Sequence, residues 1–374
     1  MDFSHPNERQ MMADSLGRYL SHRYPIEERH RISQSAKGWS PQHWAALAEM
    51  GVIGALFDEN ASGFGGDAFD IGVVFERLGQ ALVVEPFLGT LLAGRVLALA
   101  GGQGERLEEI IAGKKIISFA SEEPTTRFDL SAISAQAKSR DGAWTVTGIK
   151  AVVPHLEAAD IIVVSARISG SAGDESGIGL FLVASDAVGV TLRGYPLIDG
   201  GRAGELTLQE APAILLANDA LSILEFATAG GILALCWEAI GIMDRLKNDT
   251  LEYLRTRKQF GVPIGKFQAL QHRMVTVALE IEQARSSAIN AAVAFGDDRA
   301  SRERAMSAAK FTVGRVGTLV AEEAIQMHGG IGMTWELPLS HYAKRLTMIG
   351  HQFGDEDYHL ERFMNFERLH LTEA

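Results

Sequence analysis

The spacing of apolar residues changes twice along this chain, and that change constrains the fold more than any other feature. Residues 6–113 show helical spacing, for example in the apolar run from Ile71 to Leu78. From about Lys115, apolar and polar residues alternate and β-branched residues dominate. After Pro212 the alternation stops and long stretches with helical spacing follow. The sequence therefore predicts helices, then a sheet, then helices again.

The middle of the chain contains seven short runs with the composition of β-strands. These runs are 116–119, 135–138, 144–147, 161–164, 179–183, 190–192 and 205–208. Asp141-Gly142, between two of them, favours a tight hairpin turn. Because no long helical pattern interrupts the runs, we expect hairpin connections and a largely antiparallel sheet. A compact antiparallel β-barrel or sandwich is therefore predicted.

The last part of the chain is expected to be helical. Asn218-Asp219 can cap a helix that continues to about Lys258. Further helical patterns span 266–295, 302–328, 340–349 and 355–369. Long helices bury their apolar faces by packing antiparallel, which predicts a four-helix bundle. We expect an α+β protein with an all-helical domain at 1–114, a β-barrel at 115–214 and a helical bundle at 215–374.

Composition narrows the classes of partner. The 374 residues carry a formal net charge of −12, so binding of nucleic acid or of an anionic membrane surface is not expected. The single cysteine, Cys236, lies in an apolar helical run and is interpreted as a buried, unreactive thiol. One cysteine excludes an internal disulfide and a cysteine metal cage. His341, His351 and His359 fall in separate elements and do not form a metal-ligand pattern.

The N-terminus has polar and acidic residues and no apolar core segment, unlike a secretion signal. No stretch of about 18 uninterrupted apolar residues is present, so a membrane span is not expected. These features predict a cytoplasmic protein with no metal, nucleic-acid or membrane partner.

Two loop motifs carry most of the functional information. Residues 255–271 combine a basic cluster, an aromatic residue and a Gly-Val-Pro break between two helical patterns. Arg257 falls at a helix end, where a cation is favoured and a guanidinium can clamp a diphosphate. Residues 324–332 contain Gly329-Gly330, and glycines let backbone N–H groups approach a phosphate closely. The alternative is a solvated basic helix end and an ordinary glycine cap.

Together, Arg-Thr-Arg-Lys-Gln-Phe-Gly and Gln-Met-His-Gly-Gly-Ile-Gly resemble the flavin-binding signature of the acyl-CoA dehydrogenase family. The order of N-terminal helices, middle β-barrel and C-terminal bundle matches that family along the whole chain. The resemblance implies FAD as the cofactor and an oligomer in which each flavin site is built from two subunits. It implies that the adenine-dinucleotide half of an FAD bound to a neighbouring subunit is contacted by Arg257, Gln259, Phe260, Gln326, Gly329 and Gly330.

Dehydrogenation of an acyl-CoA requires a carboxylate that takes the α-proton while a hydride leaves the β-carbon. The family usually places this glutamate after the glycine pair, at a position that is Phe353 here. Some relatives place it on a long helix, at a position that is Gly231 here. Neither residue accepts a proton, and Glu225 and Glu238 should face away from Gly231. Asp355 is the nearest carboxylate and the candidate base, although it is also a natural cap for the last helix.

The barrel departs from the family pattern as well. The Thr-Glu-Pro element that meets the flavin and the thioester reads Glu122-Glu123-Pro124, and the Trp-x-Thr segment that packs on the flavin ring reads Val152-Val153-Pro154. These departures, with segments 340–347 and 353–360, resemble the divergent small subunits of bacterial acyl-CoA dehydrogenases for steroid or dicarboxylic (pimeloyl-type) thioesters. The resemblance implies a heterotetramer in which a homologous large subunit carries the glutamate, with a homo-oligomer as the alternative.

Three functions remain open. The first is an FAD-dependent acyl-CoA dehydrogenase subunit that desaturates an acyl-CoA thioester and passes electrons to an electron-transferring flavoprotein. The second is a non-catalytic subunit that binds flavin or acyl-CoA, and the third is a flavin oxidase or monooxygenase on the same fold. The sequence does not name the acyl group, because the apolar residues that could shape its pocket are equally typical of a core. These residues are Phe87, Leu91, Trp237, Met243 and Trp335.

Overall fold

A computed structural model describes residues 6–373, with side chains to residue 368. Its N-terminal helices are α1 (Asn7–Arg23), α2 (Ile26–Ser33), α3 (Pro41–Glu49), α4 (Ala68–Ala81), α5 (Phe87–Ala100) and α6 (Gly104–Ile111). Ser40 starts α3, because its side chain accepts the backbone N–H of His43 and Pro41 follows as the first helical residue. Helix α5 is buried along its first eleven residues. The predicted all-helical N-terminal domain is confirmed.

The strands of the middle domain form one seven-stranded sheet. They are β1 (Ile117–Ala120), β2 (Gln136–Arg140), β3 (Ala143–Pro154), β4 (Ile161–Arg167), β5 (Ile178–Ala184), β6 (Val190–Pro196) and β7 (Arg202–Ala217). The β2–β3 hairpin turns at Asp141 and Gly142, whose φ angles of 52° and 82° suit the predicted tight turn. Every expected strand is present.

The sheet closes on itself. Strand β4 pairs with β5, β5 with β7, β7 with β3, and β3 with β2. One further pair, Gln136 with Arg167, joins β2 back to β4, which completes a barrel. The pairing is largely antiparallel, as expected. Strand β1 is the main exception, because the β2–β3 hairpin separates it in sequence from β4, with which it runs parallel.

The expectation that the strands stop at Pro212 was wrong. Strand β7 pairs with β6 up to Leu208, and with β5 from Ile214 onward. Pro212 lies between these two sets of pairs, where the strand changes partner. On its other side, Pro212 stays in register with Thr145 of β3. A missing backbone donor is tolerated where one edge of the strand has no partner.

The C-terminal helices are α7 (Leu221–Thr256), α8 (Gln268–Ala294), α9 (Arg299–His328), α10 (Leu339–His351) and α11 (Glu356–Glu373). Helix α9 packs against α8, α10 and α11, and Arg285 of α8 forms an ion pair with Asp244 of α7. Asp219, expected as part of a cap for α7, accepts the N–H of Gly177 instead. The predicted C-terminal helical domain is confirmed, with the short α10 beside four longer helices in the described chain.

Two compact units can be distinguished by internal contacts. One contains the chain up to Arg29, Ile71–Val83 and the chain from Ile232 onward, and the other contains His30–Asp70 and Val84–Gly231. In the first unit, a Cβ on Gly79 would lie 2.2 Å from the carbonyl oxygen of Glu238, so α4 and α7 approach closely. Both units combine distant stretches of sequence, so the boundaries 1–114, 115–214 and 215–374 stay a prediction.

The expectation that no stretch of about 18 uninterrupted apolar residues is present holds for helix α7, because Glu225 and Glu238 interrupt its apolar part. Among the described residues, this helix alone is long and apolar enough to cross a bilayer by length and composition. Within its most apolar window, 94% of the residues are buried inside the protein, which is how a core helix behaves.

Candidate functional site

The basic motif forms a small hairpin at the end of α7. Arg257 follows the helix, and its N–H is bonded to the carbonyl of Tyr253. Strands β8 (Lys258–Gln259) and β9 (Val262–Pro263) pair across a turn formed by Phe260 and Gly261, with φ angles of 55° and 80°. Phe260 is 90% exposed, and Arg257 and Gln259 are exposed as well. The side chain of Phe260 is therefore available for contact with another molecule.

The glycine motif forms the end of α9. Gly329 has φ 69° and ψ −149°, and its N–H is bonded to the carbonyls of Ile325 and Gln326. A positive φ at this point explains why a glycine follows the helix. Both Gly329 and Gly330 are exposed, and no atom lies within 4 Å of the position that a Cβ would take. The space beside these two glycines is therefore open to a ligand, although the N–H of Gly329 is already bonded.

One aromatic pair brings the two motifs together. The rings of Tyr253 and His328 are stacked, with centroids 4.3 Å apart and planes inclined by 26°. The Tyr253 hydroxyl donates to the carbonyl of His328 at 3.3 Å, and Nδ1–H of His328 donates to the carbonyl of Ala324 at 2.8 Å. The basic hairpin begins one helical turn after Tyr253, and the glycine pair follows His328 directly. The ends of α7 and α9 are thus joined within one chain.

The groups at these two helix ends fit a dinucleotide diphosphate. Within residues 6–373, the side chains of Arg257, Gln259 and Gln326 make no hydrogen bond or ion pair with another residue. They offer one guanidinium and two amides beside an uncovered glycine backbone, and such donors suit phosphate oxygens. Carbonyls at a helix C-terminus carry partial negative charge, so a cation such as the exposed guanidinium of Arg257 is needed for an anion to bind here.

Asp355 serves as a helix cap. Its carboxylate accepts the N–H of Tyr358 at 2.9 Å, which is the capping interaction expected for the start of α11. Phe353, in the usual position of the glutamate, has φ 56°, and Gly354 has φ 117°. Nε2–H of His359 donates to the carbonyl of Phe353 at 3.0 Å. Lys310 donates to the carbonyls of Gly354 and Gly350 at 2.8 and 3.1 Å. Two buried side chains therefore fix the backbone of this turn.

Sequence reasoning did not identify the roles of Lys310 and His359. Burial lowers the pKa of Lys310 to about 8, although Cys236, Asp355 and Glu356 act in the opposite direction. Burial, together with the positive charges of Lys310 and Arg362, lowers the pKa of His359 to about 3, so this imidazole is neutral. The available signal was a lysine within the small, apolar residues of α9. Burial also raises the pKa of the Cys236 thiol to about 12, which agrees with an unreactive thiol.

The two glutamates of α7 are both buried. Glu238 forms a bidentate ion pair with Arg345, at 2.6 and 2.7 Å. Both oxygens of this carboxylate are therefore engaged by the guanidinium of Arg345. Glu225 lies in the same helix and is 5% exposed. The Glu238 contacts agree with the expectation that this residue does not replace the missing base.

The barrel segment contains a buried ion pair that sequence reasoning also missed. Lys150 is fully buried, and its ammonium group donates to Glu123 at 2.8 Å, to Ser165 at 3.0 Å and to the carbonyl of Ser121 at 3.2 Å. Strand β3 has an irregular register between Lys150 and Val153. Glu122 lies beside this irregularity, and burial raises the pKa of its carboxyl to about 7.

The residues proposed to shape an acyl pocket differ in exposure. Phe87, Leu91, Met243 and Trp237 are buried, as core residues are, whereas Trp335 is 54% exposed with Lys344 over its ring at 4.3 Å. His341 and His359 bind backbone carbonyls in different places. Among the described residues, no group of three or more His, Cys, Asp or Glu side chains has the arrangement of a metal site.

The chain is similar to known proteins along most of its length. Three family descriptions match the chain in order: acyl-CoA dehydrogenase N-terminal domain at residues 6–105, middle domain at 118–210 and C-terminal domain at 228–365. Acyl-CoA dehydrogenase IpdE2 of Mycobacterium tuberculosis is 30% identical over 343 residues, which cover 91% of this chain and 91% of that protein. IpdE2 of Mycolicibacterium smegmatis is 29% identical over 339 residues, or 90% and 92% of the two chains.

A solved structure shows the same architecture. A variant of the Tcur3481-Tcur3483 steroid ACAD superposes with a TM-score of 0.88 at 27% identity, over 98% of this chain and 99% of that chain. The three domain matches and the mycobacterial relatives extend over most of the sequence. The chain is a member of the acyl-CoA dehydrogenase family.

Proposed function

We propose that this chain is an FAD-binding subunit of an acyl-CoA dehydrogenase that desaturates an acyl-CoA thioester between the α- and β-carbons. The observation that carries the proposal is the Tyr253–His328 contact, because it places two motifs with unused hydrogen-bond donors side by side. When bound, FAD supplies the acceptor for the hydride that leaves the β-carbon. The electrons then pass to an electron-transferring flavoprotein, and the protein acts in the cytoplasm.

The residues of this chain contribute to two different flavin sites. Arg257, Gln259 and Phe260, with Gln326 and the Gly329-Gly330 pair, bind the adenine-dinucleotide half of an FAD that belongs to a neighbouring subunit. The exposed Phe260 supports this role, because its side chain is then covered on assembly. The barrel segments at Glu122 and Val152 face the flavin of the chain's own site.

The proton acceptor belongs to a homologous partner chain. Phe353 and Gly231 cannot take a proton, Glu238 is paired with Arg345, and Asp355 caps α11. A steroid ACAD named for two chains is among the relatives, which supports a hetero-oligomer and a bulky substrate such as a steroid or dicarboxylic thioester. Asp355 remains the candidate base if the chain acts alone.

Titration with FAD tests the binding role. Arg257→Gln is compared with the matched control Arg255→Gln, which removes an exposed cation two residues earlier. Loss of charge-assisted bonds to a diphosphate predicts affinity about 10- to 100-fold weaker for Arg257→Gln, and little change for the control. Equal losses of FAD affinity in the two variants would show that FAD binding depends on the net positive charge at this end of the bundle and not on Arg257 in particular.

Activity tests the catalytic role. The purified chain should bind FAD, but acyl-CoA should bleach the absorbance of the bound flavin only slowly. Co-expression with a homologous large subunit should restore rapid turnover. Phe353 and Gly231 stand where relatives have the catalytic glutamate, which favours a second candidate function. In this alternative the chain is a non-catalytic subunit that stabilises its partner. In that case the reconstituted complex keeps its activity with Arg257→Gln. Rapid oxygen consumption by the reduced flavin would instead indicate an oxidase or monooxygenase.

A further inference from the structure

Helix α8 has a second face that its own chain leaves uncovered. Met274 and Ile281 lie on the face that is buried in the bundle. Residues at steps of three or four line the opposite face, here called the outer stripe: Val275, Leu279, Gln283, Ser286, Asn290 and Val293. The side chains of Val275, Leu279 and Val293 are 56%, 66% and 56% exposed. None of the stripe residues is charged, although 22% of all residues in the chain are.

The charged residues of α8 lie outside the outer stripe and are paired within the chain. The ion pairs join Arg273 to Glu323, Glu280 to Arg315, and Arg285 to both Asp244 and Glu282. In the stripe itself, the hydroxyl group of Ser286 donates to the carbonyl of Glu282 at 2.8 Å. The stripe therefore has no charge and no free hydroxyl donor. Depletion of charge at the centre, with charged residues around it, is the composition of a protein interface core.

The order of residues in the outer stripe is self-complementary. Val275 and Val293 are equally distant from Ala284, and Gln283 and Ser286 lie close to it on either side. If two copies of α8 lie antiparallel across a two-fold axis level with Ala284, valine meets valine at both ends of the contact. Near the axis, the amide of Gln283 can donate to the oxygen of Ser286 of the second copy, whose hydroxyl hydrogen is already bonded. Antiparallel packing also opposes the two helix dipoles, which is favourable.

We propose that the outer stripe of α8 is a contact surface for a second copy of this chain, in which the two α8 helices pack antiparallel about a two-fold axis. The contact removes three exposed aliphatic side chains of each copy from water. It uses residues 275–293 and none of the residues assigned to FAD, so it goes beyond the proposed function and does not depend on it. In a heterotetramer, this contact joins the two copies of the chain to each other.

Disulfide cross-linking tests the geometry, because the native cysteine, Cys236, is buried and does not compete. Gln283→Cys places a thiol beside the axis, so oxidation should link two copies. Val275→Cys alone should give no link, since the two thiols would be about 27 Å apart along the antiparallel helices. The double variant Val275→Cys with Val293→Cys should be linked. Val188→Cys, at an 86% exposed position of the barrel domain, is the control and should stay unlinked on a denaturing gel. Absence of a link in Gln283→Cys, or equal linking in the control, would overturn the proposal.

The mass of the protein in solution gives a second measurement. Leu279→Lys puts a charge into the contact from both copies, because a two-fold interface contains every substitution twice. The dissociation constant of the assembly should rise about tenfold or more, measured by light scattering over a dilution series. Val188→Lys is the matched control and should leave the dissociation constant unchanged. An unchanged constant in Leu279→Lys would overturn the proposal. Arg257→Gln should lose affinity for FAD and keep the Gln283→Cys cross-link, so failure of the proposed function and failure of this inference are distinguished.

Discussion

Tyr253 and His328 lie face to face at the ends of α7 and α9, with ring centroids 4.3 Å apart. The two residues are far apart in sequence, and each is followed by one half of the candidate FAD site. Their contact joins the helix before the basic hairpin to the helix before the glycine pair. A ligand that bridges the two loops therefore meets a site whose geometry exists before binding, which lowers the entropic cost of binding.

The contact between Tyr253 and His328 has two components, the ring stack and the hydroxyl hydrogen bond, and two substitutions distinguish them. Tyr253→Phe keeps the stack and removes the hydroxyl bond to His328, whereas Tyr253→Leu removes both. An aromatic pair contributes about 0.5–1.5 kcal/mol beyond burial, so Tyr253→Leu should weaken FAD binding about tenfold at most. Tyr253→Phe should have a smaller effect in the same titration. Identical affinities for the leucine variant and wild type would show that the stack does not position the loops.

The two glycines should respond differently to alanine. Gly329 has a positive φ, so Gly329→Ala strains the backbone and should lower the free energy of unfolding by about 1 kcal/mol or more. A Cβ on Gly330 meets open space, so Gly330→Ala should leave the apo protein stable. The added methyl group blocks close approach of a phosphate, and FAD affinity should fall about tenfold. Urea denaturation and FAD titration check both variants, and full affinity of Gly330→Ala would argue against phosphate binding there.

The buried pair Lys150–Glu123 should be costly to break from one side. Lys150→Met leaves the Glu123 carboxylate buried without its cation, which is expected to lower the free energy of unfolding by about 3–5 kcal/mol. The double variant Lys150→Met with Glu123→Leu removes both charges and should be more stable than Lys150→Met alone. Urea denaturation measures all three proteins. Equal stabilities of the single and double variants would mean that the ion pair is not the source of the effect.

His359 should make stability depend on pH. Its pKa is about 3 in the folded protein, compared with an ordinary value of 6.5, so the folded state excludes a proton that the unfolded chain binds. The contribution of His359 to the free energy of unfolding is therefore complete above pH 6.5. It is lost as pH falls toward 3, by about 1.4 kcal/mol per pH unit. Denaturation of wild type and His359→Gln between pH 4 and 7 isolates this contribution, because other groups titrate alike in both. A constant difference between the two proteins across that range would contradict the prediction.

Two substitutions of Asp355 distinguish its role as a helix cap from a role as the catalytic base. Asparagine is also a good cap, so Asp355→Asn should be as stable as wild type, whereas Asp355→Ala should lose about 1 kcal/mol. Asparagine cannot take a proton. The reconstituted enzyme should keep its turnover with Asp355→Asn if the partner chain supplies the base. Loss of turnover with unchanged stability would identify Asp355 as the catalytic residue.

Much of the fold could be predicted from sequence because the relevant signals are local. The β2–β3 hairpin follows from Asp141-Gly142, since these residues adopt positive φ at low cost. The start of α3 follows from Ser40-Pro41 in the same way. The parallel pairing of β1 with β4 and the continuation of β7 past Pro212 could not be predicted, because each depends on strands that are distant in sequence.

The sequence by itself determined the family, the order of the helical, strand and helical regions, and the two motifs proposed to bind FAD. Periodicity, turn residues and short motifs are properties of contiguous residues. Only the tertiary structure decided that Tyr253 contacts His328, that Lys150 pairs with Glu123 and that burial raises the pKa of Glu122. The physical reason is that desolvation and charge pairing depend on which distant side chains meet. No local pattern in Glu122-Glu123 predicts which of the two carboxyl groups pairs with Lys150.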